Sequence, residues 1–130
     1  MTPFGLRLRQ LRAKRGITQA TMAHKLHLSP AYLSALENGH RGQPNLRLVH
    51  QICQLFHLIW DEADEMRELA GHSNPRPSLN SAGLSATHTL FANVIAQRLD
   101  KISEAQAREW LEQLDKSKLK WLENKESHAL

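Results

Sequence analysis

Several things are scarce in this chain of 130 residues. There is one cysteine, Cys53, so no internal disulfide framework can hold the fold together. No apolar run approaches the roughly 20 residues needed to cross a bilayer, and no membrane partner is expected. Met1-Thr2-Pro3-Phe4-Gly5 leads straight into Arg-rich sequence without the apolar stretch of a signal peptide, which reads as a cytoplasmic protein. Stretches alternating apolar and polar residues in the manner of strands are missing; the periodicity is helical nearly throughout. Also missing are a Gly-rich phosphate loop after a strand, a nucleophile elbow and a metalloprotease helix. No enzyme activity and no cofactor are expected.

Acid is scarce too, but only locally. Residues 1–60 hold eight Lys/Arg and the single acid Glu37, whereas residues 61–130 hold nine Lys/Arg and twelve Asp/Glu. A basic half joined to a mildly acidic half suggests that the basic half meets a polyanion.

What is present is a series of helix signals. Phe4, Leu8 and Leu11 recur at helical spacing within a first helix from about Pro3 to Arg15, ended by Gly16. Thr18 starts a second helix, with Ile17 and Met22 as a hydrophobic staple; it buries Met22, Ala23 and Leu26 and stops near His27. The third helix, Ser29–Asn38, has a capping serine, Pro30 at its first position and Gly39 just beyond its end. Its Tyr32, Leu33 and Leu36 are available for packing. A fourth helix, about Asn45 to Phe56, is expected to bury Leu46, Val49, Ile52, Cys53 and Phe56. A fifth opens with Asp61, Glu62 and Asp64, acids suited to a helix N-terminus, and ends at Gly71.

Asn74-Pro75-Arg76-Pro77-Ser78 is a linker by composition, with room for a short strand or arm around Arg76–Asn80. Ser85 then caps a helix reaching about Ile102, with Phe91, Val94, Ile95, Leu99 and Ile102 in line. Ser103 and Gln106 begin a last helix running to about Glu123, with Ala107, Trp110, Leu111, Leu114, Trp121 and Leu122 along one stripe; the final six or so residues read as frayed. The fold expected is all-α: a five-helix domain at 1–72, a Pro-rich linker at 73–84 and a two-helix tail at 85–130. Two helices cannot bury both stripes on each other alone. A second copy, the N-terminal domain of the same chain, or another protein could cover them; self-association through Phe91, Ile95, Trp110, Leu114 and Trp121 is the reading taken.

The second and third helices are joined by about three residues, which forces a steep crossing and lets the third helix project. Its outward residues are small, as a helix entering a groove about 12 Å wide requires. With Arg12, "GITQATMAHKLHLS", "YLSALENG" and the loop ending in Pro44, residues 6–71 resemble the Xre/phage-repressor (Cro/CI-type) helix-turn-helix family. The resemblance implies a lambda-repressor-like fold and a transcriptional regulator, read as a homodimeric repressor, whose third helix enters the major groove of double-stranded DNA. It places Gln19 where the family anchors a phosphate, and Ser29, Pro30, Ala31, Tyr32, Ser34 and Ala35 on the base-reading helix. Asn38, Gly39, His40 and Arg41 fall in the backbone-contacting loop, and Arg12 with Glu37 matches a structural ion pair. Thr21 stands where a capping Glu is common, and Ala31, Ser34 and Ala35 are shorter than the usual base readers, which puts tight sequence specificity in doubt. Further phosphate candidates are Arg7, Arg9, Lys14, Lys25 and Arg47.

Two other functions use the same domain: an antitoxin whose tail binds a toxin partner, and a low-specificity nucleoid-type DNA coater. His50, Cys53 and His57 lie at metal-compatible spacing on one helix, but Cys53 falls at a core position and no fourth ligand is evident; no metal is expected.

Overall fold

The computed structural model describes residues 1–123, and the expected fraying falls outside the described residues. It contains seven α-helices and no strand among those residues: α1 Pro3–Arg15, α2 Gln19–Lys25, α3 Pro30–Glu37, α4 Leu46–Leu55, α5 Asp61–Gly71, α6 Ala86–Arg98 and α7 Glu104–Asp115. Two units form, one from Met1–Arg76 together with residues 121–123, the other from Pro77–Lys120. None of the described helices is long and apolar enough to cross a membrane.

In the first unit, hydroxyl and amide side chains set the helix starts. Thr2, Thr18, Ser29 and Asn45 each accept a backbone N–H from the first turn of their helix. The Thr21 hydroxyl lies 2.9 Å from that of Thr18, a partial substitute for the missing capping Glu. Gly16 ends α1 in the left-handed region, at φ 65°. Helices α2 and α4 end alike, with a histidine in that left-handed place: His27 at φ 59° and His57 at φ 55°. In both, the N–H three residues past the end reaches back five residues: Leu28 to Ala23 O at 2.8 Å, Leu58 to Cys53 O at 2.9 Å.

These caps leave α1 packed on α3 and α5, α2 on α3, and α4 on α5. Phe4, Leu8, Met22, Leu33, Val49, Ile52, Met66 and Leu69 form the fully buried centre. Gly5 sits where α1 presses on the end of α3: a Cβ there would lie 2.3 Å from the carbonyl oxygen of Glu37. No larger residue fits. The Ser73 hydroxyl accepts from Phe4 N–H at 2.9 Å and donates to Leu69 O at 2.6 Å, tying the start of α1 to the end of α5.

Three expectations are corrected. Leu46 is 70% exposed, and Leu48 is buried in its place. Leu46 is the first residue of α4, and helical side chains lean back toward the N-terminus, which carries it past the edge of the core. The last α-helix stops at Asp115, and residues Lys116–Leu122 form a 3₁₀ helix, so Trp121 leaves the α7 stripe. Trp121 is only 7% exposed, belongs to the core of the first unit and lies 5.3 Å from the His72 ring. Gln10 Nε2 donates to Glu123 O at 3.2 Å beside it. Trp121 therefore cannot stand on an open apolar stripe of this chain.

In the second unit α6 ends at Arg98, followed by a 3₁₀ turn at Leu99–Lys101, so Leu99 and Ile102 fall beyond it. Ser85 and Ser103 cap α6 and α7. The expected arm at 76–80 is irregular chain. No residue of Pro77–Lys120 is buried. Leu90, Phe91, Leu99 and Leu114 are all largely exposed, Leu114 at 78%.

Candidate nucleic-acid interface

The turn from α2 to α3 is short because Leu26, His27 and Leu28 complete one helix and Ser29 begins the next. Leu33 and Leu36 bury the inner face of α3, which fixes the outer face by elimination. Ser29, Pro30 and Ala31 are exposed; Tyr32, Ser34 and Ala35 are half-buried. These six make a low, nearly uncharged surface.

Beneath it, Glu37 is 1% exposed. Arg12 Nη1 donates to both carboxylate oxygens, at 2.8 Å to Oε1 and closer to Oε2. Gln19 Nε2 donates to Oε1 at 3.1 Å. A buried carboxylate is costly unless paired and hydrogen-bonded, and both conditions are met here. One acid thus joins α1, α2 and α3. The ion pair matches the expected structural role of Arg12 and Glu37. Sequence reasoning missed that Gln19 joins it, because the amide and the carboxylate are eighteen residues apart.

At the far end of α3, Asn38 Nδ2 donates to Ser34 O at 2.9 Å, so its amide caps its own helix. His40 and Arg41 are exposed. The Arg41 guanidinium carbon lies 5.1 Å from the centre of the Tyr32 ring, a cation–π arrangement that spans α3 and the following loop. Their separation of nine positions hid this pairing from the sequence. Lys25, His24 and His27, at the end of α2, are exposed near the same turn in sequence. This candidate surface therefore has a small, uncharged outer face with the Arg41 guanidinium held at its edge.

His50, Cys53 and His57 line a groove on α4 instead. Among the described residues, no group of three His, Cys, Asp or Glu side chains is placed to hold a metal ion. Burial pushes the Cys53 thiol above its ordinary pKa, with the Arg67 charge opposing.

The family model described as "Helix-turn-helix domain" matches residues 3–74. Over 113 residues, covering 85% of this chain and 79% of the other, the sequence is 24% identical to the uncharacterized HTH-type transcriptional regulator RghRB of Bacillus subtilis (strain 168). No solved structure matches the chain. The family match covers more than half of the sequence and takes in α1 to α5 with the turn just described; this chain belongs to the helix-turn-helix family.

Proposed function

We infer that the protein is a DNA-binding transcriptional regulator that acts as a homodimer and represses by occupying its site. The observation that carries this reading is α3 itself: a short helix with a small outer face, flanked by an arginine held on a tyrosine. In this reading Ser29 to Ala35 enter the major groove, with Ala31 and Ala35 touching thymine methyl groups and Ser34 a base edge. Arg41 neutralises a phosphate, and Tyr32 holds it in place. Asn38, already capping its helix, and His40 contact the backbone. Gln19 orders the start of α2 through Glu37 and offers its remaining amide atoms to a phosphate.

Homodimerisation is supported by the second unit. Two capped helices that bury no residue lack the apolar burial that stabilises small units, roughly 1.5–3 kcal/mol for each large side chain. Phe91, Ile95, Trp110 and Leu114 supply the contact in this reading, and Trp121 does not. An antitoxin would use the same face on a toxin.

Selection of sites from a random duplex library tests the reading. A two-fold symmetric motif is expected, with half-sites one helical turn or a multiple apart. Binding without an enriched motif would favour the nucleoid-type alternative. Arg41→Ala should weaken binding about tenfold on every site and lower the salt slope by about 0.9, the value for one phosphate contact. Tyr32→Ala should do the same and Tyr32→Phe should not. The double variant Tyr32→Ala/Arg41→Ala should bind no worse than Arg41→Ala. A change of motif in Tyr32→Ala at constant salt slope would make Tyr32 a base reader instead.

A further inference from the structure

The Pro-rich linker leaves the first unit at a defined place. Ser73 is buried and bonded to the start of α1 and the end of α5, so the chain departs from a fixed point. Asn74 Oδ1 accepts the Arg76 N–H at 2.9 Å, which turns the chain once more. Pro75 then comes up against Gly39, at the start of the loop that follows α3. A Cβ built on Gly39 would lie 3.5 Å from Thr2 Cγ2 and 3.7 Å from Pro75 Cβ, ordinary van der Waals contact. The next residue is Arg76, exposed and set between Pro75 and Pro77. Proline fixes its own φ and restricts the residue before it to extended backbone, so Arg76 stands on a stiff piece of chain. Less freedom is lost when a group presented in this way binds.

Charge identifies what it binds. Two stretches of chain meet at the Gly39–Pro75 contact, and neither holds an acid over a long run. Residues 38–60 contain no Asp or Glu, and neither do residues 69–99. The acid just before the loop, Glu37, is buried and satisfied by Arg12 and Gln19. Among the described residues, no acid pairs with Arg41 or with Arg76. Two unpaired arginines in an acid-free neighbourhood suit a polyanion better than a protein surface of mixed charge. We propose that the linker is an arm on the DNA backbone, with Arg76 neutralising a phosphate beside the one taken by Arg41. The arm rests on the DNA-binding reading and lengthens its footprint beyond the helix-turn-helix and its loop. The linker is then part of the binding surface as well as a spacer.

The test measures the affinity of the full chain for a mixed-sequence DNA duplex over a series of salt concentrations. Arg76→Ala should weaken binding several-fold at low salt and lower the salt slope by about 0.9 for each chain bound, at an unchanged melting temperature. Arg76→Lys should keep the slope of the parent. The double variant Arg41→Ala/Arg76→Ala should lose twice the slope of either single variant, because two separate phosphates are given up. A slope lost in Arg41→Ala but kept in Arg76→Ala would overturn the arm and leave the regulator reading standing. A double variant no worse than either single one would overturn it too, since both arginines would then share one phosphate. Duplex binding without salt dependence in the parent would sink the regulator reading together with the arm.

Discussion

Helices α1 and α6 are both thirteen residues long, and each starts on a hydroxyl side chain that accepts an N–H from the first turn. There the likeness ends. Phe4, Leu8 and Leu11 of α1 are buried, while α6 buries nothing and leaves Phe91 62% exposed. Capping decides that a helix forms and where it begins. Whether a helix is complete as a folded object depends on what covers its apolar side. In the first unit, helices of the same chain do so; in the second, the described apolar side chains are at most half-buried. The difference separates a unit with a buried core from one whose large apolar side chains stay mostly exposed.

The comparison breaks most sharply at the buried acid of the first unit. Arg12→Ala would leave Glu37 with only the Gln19 amide, and the expected loss is about 3–5 kcal/mol in urea unfolding. A loss below about 1 kcal/mol would mean that water reaches the carboxylate. Trp121→Ala comes next, with an expected loss of about 3 kcal/mol, the cost of emptying a large aromatic site in a core. Trp110→Ala, on the exposed side of α7, should leave unfolding of the first unit within about 0.5 kcal/mol of the parent. Equal losses from the two tryptophans would erase the distinction between the units. The smallest effect concerns Cys53. Its raised thiol pKa means that the unfolded chain loses the proton first. The native state is therefore favoured below the ordinary thiol pKa and loses stability as pH rises beyond it. Cys53→Ala should flatten the alkaline fall in melting temperature, and the native thiol should react slowly with iodoacetamide at pH 7.

Where sequence reading succeeded, the cause was local. Thr18, Ser29, Ser85 and Ser103 announce helix starts because the bond they make is three residues away. Gly16 announces an end for an equally local reason. The outer face of α3 was legible from Leu33 and Leu36 on the opposite side. Distant contacts were not legible. Trp121 looked like one more member of an apolar stripe, because helical spacing cannot tell that the helix changes character after Asp115. The stacking of Arg41 on Tyr32 and the link from Gln19 to Glu37 depend on how helices meet. The positive φ of Trp60 gave no warning at all, since it breaks the conformational preference of that residue type.

The placement of Trp121 also bears on the order in which the protein is made. Its indole fills part of the core formed by α1 to α5, yet the whole of Pro77–Lys120 must be synthesised before it exists. On the ribosome, the DNA-reading body would wait on the order of seconds with its core open beside His72 and Gln10. A nascent chain would hold its recognition helix before holding a finished body behind it, and only the arrival of residue 121 would close that interval.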